Sequence, residues 1–154
     1  MSEVSEKPAE TLAEATEDKK IPLSHRFKVL VVDDEEEIRS ILIDHFKSAG
    51  YRVVDSAVDG QEALEKTQRA VKDGDRYDII VSDWRMPRLT GMQFLEKMRK
   101  NPFYEKTPFV MLTSMDEGEQ VRQAIDAGVT DYIMKPFSFK AIVERFTRIN
   151  RMVP

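Results

Sequence analysis

Four short stretches of the chain carry side chains suited to chemistry: Asp33-Asp34-Glu35, Asp83, Thr113-Ser114 and Lys135-Pro136. Each follows an apolar run. Clustered carboxylates repel one another, and at least one titrates high unless a cation compensates. Mg²⁺ suits such a cluster, because it takes about six oxygens and accepts water and phosphate among them. A carboxylate facing that ion can attack phosphorus and form an acyl phosphate. The developing charge then needs fixed donors, which the ion, the Lys135 ammonium and the Thr113 hydroxyl would supply. Singly, each residue has a plainer use. Asp33 and Asp34 suit helix N-caps or first-turn charges. Asp83 suits a turn or cap, Thr113 an ordinary strand end, and Lys135 a solvated loop. Their joint occurrence at the ends of the first, third, fourth and fifth apolar strand-like runs favours a site.

The elements that must position these residues are legible in the apolar pattern. Phe27 to Val32 reads as a strand covered on both faces. Ile38, Ile41, Leu42, His45 and Phe46 share one helical face, which Gly50 ends. Further strands are expected at Tyr51 to Ser56, Tyr77 to Ser82, Phe109 to Leu112 and Asp131 to Met134. Between and after them, helices are outlined by Ala63, Leu64, Thr67 and Val71, then by Met92, Phe94, Leu95 and Met98 after Gly91. Val121, Ala124 and Ile125 mark the next, ended by Gly128, and Phe139, Ile142, Val143, Phe146 and Ile149 the last. Strict alternation implies an α/β fold with a parallel sheet and helices on both faces. In such sheets ligands bind beyond the carboxyl ends of the strands, at the switch in strand order.

The 154 residues suit one domain plus a tail, with 41% hydrophobic and 34% charged side chains. Residues 1–20 hold six acidic and three basic side chains and almost nothing apolar, so residues 1–25 are expected to be a disordered acidic tail and 26–154 the domain. A net charge of -4 disfavours nucleic acid as a partner. The absence of cysteine excludes disulfides and thiolate chemistry. No apolar run approaches the ~20 residues of a membrane span, and the N-terminus lacks a secretory signal, so a cytoplasmic protein is expected.

Five ordered stretches carry a resemblance: Val31-Val32-Asp33-Asp34-Glu35, Ser82-Asp83-Trp84-Arg85-Met86-Pro87, Thr90-Gly91, Met111-Leu112-Thr113-Ser114 and Tyr132-Ile133-Met134-Lys135-Pro136-Phe137. Together, from about Phe27 to Met152, they resemble the receiver domain of bacterial two-component response regulators, the fold typified by the chemotaxis regulator CheY. Asp83 to Thr113 is 30 positions and Thr113 to Lys135 is 22, matching that family's spacing. The resemblance implies a flavodoxin-like doubly wound (βα)5 fold with strand order 2-1-3-4-5. It implies Asp83 as phosphoacceptor, and Mg²⁺ held by Asp34 and Asp83, by Asp33 through water, and by the backbone carbonyl of Arg85. It also implies Lys135 and Thr113 as phosphoryl partners, a cis bond before Pro136, and Tyr132 as the aromatic that turns inward when Thr113 moves. Arg85 and Met115 occupy positions that tune phosphoryl lifetime in the family.

Other classes fit less well. An Asp-based phosphatase of the haloacid-dehalogenase type wants an acid two residues after the nucleophile, where this chain has Arg85, which cannot give up a proton. A flavodoxin-like flavin binder wants a Ser, Thr and Gly loop after the first strand, where Asp33 to Glu37 are all acidic. Because the chain ends soon after the last helix, output is expected through another protein rather than an attached domain. Partners implied are a sensor histidine kinase or phosphotransfer protein and a downstream protein, the flagellar switch in view of Trp84 beside Asp83. A phosphorelay intermediate, or a regulator of another kinase, is the alternative. A monomer is expected. The output face would lie on the fourth helix, fifth strand and fifth helix, exposing Gln120, Gln123, Tyr132, Lys140 and Arg148.

Overall fold

The computed structural model describes residues 23–114 and 118–154. Every residue of β1 (Lys28–Val32) after the first is buried, although successive side chains of a strand point to opposite faces. Both faces are therefore covered. Val29 and Val31 pack with Leu42 and Phe46 of α1 (Glu36–Ser48) and with Ile142, Phe146 and Ile149 of α5 (Phe139–Ile149). Leu30 and Val32 pack on the other side with α2 (Gly60–Lys72), α3 (Gly91–Arg99) and α4 (Gly118–Asp126), through Ala63, Phe94, Leu95 and Ala124 among others. The remaining strands are β2 (Val53–Ala57), β3 (Ile79–Asp83), β4 (Phe109–Thr113) and β5 (Asp131–Met134). All pairings are parallel and the order is β2-β1-β3-β4-β5. This is the expected flavodoxin-like doubly wound (βα)5 sheet.

Boundaries shift where local chemistry competes with pairing. Tyr51, expected in the second strand, instead closes α1: its amide donates to the Phe46 carbonyl at 3.2 Å, while Gly50, at φ 90°, donates to Lys47. That is the six-to-one and five-to-two pattern of a Schellman cap. Ile41, Ile125 and Val143, which helped outline the helices in the sequence, are exposed. Each neighbours a buried residue (Leu42, Ala124, Ile142) and lies about 100° round the helix from it, outside the stripe that meets the sheet. Phe139 is also exposed.

Part of the stretch read as tail is folded. Leu23–Arg26 forms a 3-10 turn in which the buried Ser24 donates to the Ala49 carbonyl at 3.1 Å. Residues 1–22 and Met115 lie outside the described residues. Among the described residues, no helix is long and apolar enough to cross a membrane.

Candidate functional site

Strand register assembles the site. Val32 pairs with Ser82, so Asp33, one residue beyond β1, stands beside Asp83 at the end of β3. Asp83 pairs with Leu112, which brings Thr113 next. Thr113 pairs with Met134, so Lys135 leaves β5 at the same edge, and its amide donates to the Thr113 carbonyl at 2.7 Å. The strand order reverses at β1 and β3, where the sequence pattern places a ligand crevice.

The Lys135 ammonium crosses from β5 to meet Asp83 Oδ1 at 3.0 Å and Asp33 Oδ2 at 3.4 Å. Asp83 Oδ1 also accepts from the Trp84 amide at 2.9 Å, and Asp33 Oδ1 from the Glu35 amide at 2.8 Å. Asp33 is fully buried and Asp83 nearly so, while Asp34 is exposed. The capping alternatives fail: α1 starts at N-cap Glu35 without a side-chain cap, and α3 is capped by Thr90 in a reciprocal pair with Gln93. Thr113 is buried and its hydroxyl donates to the Ser114 carbonyl at 3.2 Å. A cavity of about 220 Å³ lies between Thr113, Val121, Tyr132 and Met134. Arg85 is exposed on the loop after β3, and the Lys135–Pro136 bond is cis. Tyr132 and Gln120, expected to be exposed, are half-buried, whereas Gln123, Lys140 and Arg148 are exposed.

The donor set fits a hard divalent cation. Asp33, Asp34 and Asp83 each bring a carboxylate oxygen within 4.8 Å of the others, and they are the one such group among the described residues. All the donors are oxygens, as Mg²⁺ requires. A single ammonium, Lys135, pairs with two of the three carboxylates, which leaves negative charge for a cation to neutralise.

Burial, and after it repulsion from Asp33, pushes the Asp83 carboxyl from 3.8 up to about 6, against the pull of Lys135. Burial raises Asp33 as well. Burial alone would lower Lys135, but its hydrogen bond to Asp83 and its attraction to both carboxylates outweigh that and hold the ammonium above its usual range. Because the folded state holds the Asp83 proton more tightly than the unfolded chain, this group's contribution to stability falls as pH rises from about 4 to about 6. Without divalent cations, the Asp83 carboxyl carbon should titrate near pH 6 by NMR, and added Mg²⁺ should move that midpoint down. A cation-free midpoint near 4 would contradict the geometry.

Sequence reasoning missed the backbone donors at Trp84 and Glu35, which leave no residue-type signal. It also missed Arg39, whose guanidinium donates to the Asp33 carbonyl at 2.9 Å, and Asp59, the buried N-cap of α2. Gly91 proves tightly constrained. A Cβ there would run into the Asp83 carbonyl oxygen and lie 3.1 Å from Met111 Sδ. Gly91→Ala is expected to displace the Asp83 backbone, costing roughly 1–3 kcal/mol and weakening Mg²⁺ binding. Denaturant unfolding and Trp84 fluorescence check both, and wild-type values would contradict it.

Fold and site together define a receiver domain, and the chain belongs to that family: the response regulator receiver domain matches residues 29–147. Receiver domains are signalling switches rather than turnover enzymes. Within the family this chain is similar to chemotaxis proteins of the CheY type. Chemotaxis protein CheY-3 of Vibrio cholerae is 33% identical over 127 residues, covering 82% of this chain and 94% of that protein. The solved structure of the chemotaxis response regulator CheY4 of Vibrio cholerae has TM-score 0.72 and 36% identity, covering 80% of this chain and 98% of that one. The receiver domain of Francisella response regulator 1452 has TM-score 0.69 and 32% identity, covering 83% and 99%.

Proposed function

We propose that residues 26–154 form a phosphoryl-accepting switch in which Asp83 takes the phosphoryl group. The observation that carries this is the convergence of Asp33, Asp34, Asp83 and Lys135 at one strand edge. Asp34 and Asp83 would hold Mg²⁺ directly, Asp33 through water, and Arg85 through its backbone carbonyl. Bound there, Mg²⁺ neutralises phosphoryl oxygens and the carboxylate repulsion. An oxygen of the Asp83 carboxylate forms a bond to phosphorus as the bond to the donor's leaving group breaks, giving an acyl phosphate. Lys135, already within hydrogen-bond reach of Asp83, pairs with an oxygen of the transferred group. The donor is a sensor histidine kinase or phosphotransfer protein, and the setting is the cytoplasm.

A phosphoryl group adds roughly -1.5 to -2 charges, by analogy with phosphoserine. The Thr113 hydroxyl is the donor at the end of β4 able to follow that charge. Tyr132 lines both the cavity beside Thr113 and a groove of about 640 Å³ along β5 and α5. On the α5 side, β5 is fastened by Asp131, which accepts from Arg145 at 3.1 Å and Arg148 at 2.8 Å. The α4–β5–α5 face would therefore change on its α4 side, and a downstream protein that binds one state better would read it. The relatives' role in chemotaxis favours the flagellar switch as that protein, with this chain acting as a monomer.

Labelling by acetyl phosphate that requires Mg²⁺ or Mn²⁺ is the test, and full labelling in excess chelator would refute the reading. Thr113→Ala should still be labelled on Asp83, but phosphorylation should no longer shift the Tyr132 ring resonances. Unchanged Tyr132 shifts on phosphorylation of the wild-type protein would remove this output face.

A further inference from the structure

The loop from Trp84 to Thr90 contains Arg85 and joins Asp83 to α3. At its tip the Leu89 amide donates to the Pro87 carbonyl at 2.7 Å, with Arg88 between them at φ 68°. A hydrogen bond across two residues with positive φ at the centre marks the rarer, strained form of γ-turn. Arg88 is the one non-glycine residue at positive φ among the described residues. Such a conformation costs of order 1 kcal/mol or more and persists only where its surroundings hold it.

What holds it is Asp59. This carboxylate is almost completely buried and uses both oxygens: Oδ1 accepts from the Glu62 amide at 2.8 Å, capping α2, and Oδ2 pairs with the Arg88 guanidinium. An exposed ion pair contributes little, but here one partner is desolvated, and removing the cation would leave a buried charge without it. Backbone packing draws the same two segments together. A Cβ on Gly60, the first residue of α2, would lie 2.6 Å from the Leu89 carbonyl oxygen and 2.8 Å from Leu89 Cβ.

We propose that the Asp59–Arg88 pair is a positioning latch that fastens the β3–α3 loop to the start of α2 and thereby holds the Arg85 carbonyl for the cation at the carboxylate cluster. The proposal rests on the metal reading given above. Neither residue touches the cation; each acts through the loop.

Mg²⁺ titrations followed by Trp84 fluorescence test it on the full chain. Arg88→Gly removes the tether while leaving a residue that accepts φ 68°. Asp59→Asn removes the charge while keeping a good N-cap. Each should weaken Mg²⁺ about tenfold, the size expected of a group one step behind the ligands. Arg88→Lys should recover part of the loss, and the double variant should be no weaker than either single one. Circular dichroism establishes that each variant is folded, and Asp59→Asn carries the test if Arg88→Gly does not fold. Asp34→Ala separates the two readings. If it loses Mg²⁺ while Arg88→Gly and Asp59→Asn bind as wild type, or if their effects simply add, the latch is refuted and the metal site stands. If Asp34→Ala binds Mg²⁺ normally, the metal site itself is refuted and the latch with it.

Discussion

Asp83→Asn should lose phosphoryl acceptance by at least about a thousandfold, as expected when the attacking group is removed, and should make the cation-free protein more stable at neutral pH. The first effect follows because an amide oxygen is a poor nucleophile for phosphorus, while Asp33 and Asp34 keep their places. The second follows from the position of Asp83. Its carboxyl titrates at about 6 instead of 3.8 because it is buried and faces Asp33, so holding it ionised at pH 7 costs the fold on the order of 3 kcal/mol. An amide of nearly the same shape carries no such penalty, and Lys135 keeps Asp33 as a partner at 3.4 Å. Stabilisation of roughly 1–3 kcal/mol is therefore expected in chelator, shrinking as pH falls below 6 and also as Mg²⁺ is added. Urea unfolding at several pH values reads it. Equal stability of the two proteins at pH 7 in chelator would show that Asp83 is not under the strain described.

Lys135→Ala should act in the opposite direction. The ammonium bridges Asp83 at 3.0 Å and Asp33 at 3.4 Å, and Asp33 is fully buried. Removing it leaves two facing carboxylates without their shared cation. Breaking a buried pair costs about 3–5 kcal/mol, and the lower end is expected because part of the lysine reaches solvent. Most of that loss should return at saturating Mg²⁺, whose charge substitutes for the ammonium. Labelling should not recover in parallel, since the donor to the phosphoryl oxygen is still missing; losing one such donor slows reaction by about a hundredfold or more. A variant as stable as wild type in chelator, or equally destabilised with and without Mg²⁺, would contradict the electrostatic account.

The two variants probe residues that were visible in the sequence, and the reason is geometric. Asp33, Asp83, Thr113 and Lys135 each sit at or just past the end of an apolar run. In a parallel sheet, strand ends share an edge, so type and position sufficed to bring them together. The fully buried strands were legible for the same cause: a covered strand has no polar face to confuse its period. What stayed hidden depends on contacts without a local signature. Nothing in the types of Trp84 and Glu35 announces that their amides bind Asp83 and Asp33. Ile41, Ile125 and Val143 are apolar but fall outside the buried stripe, because the width of each helix–sheet contact is set by packing rather than by hydrophobicity. Arg88 at positive φ is least expected of all, since local sterics favour glycine or asparagine there, and its partner Asp59 lies 29 positions away in the sequence.

The most direct measurement is to map the phosphoryl group itself. The protein is incubated with acetyl phosphate and Mg²⁺, the product is reduced with borohydride, which converts an acyl phosphate to an alcohol, and the modified residue is located by peptide mass spectrometry. The account predicts modification at Asp83 alone, absent in chelator and absent in Asp83→Asn. Acid-stable phosphate on a serine or threonine, or modification of the same extent in Asp83→Asn, would contradict it.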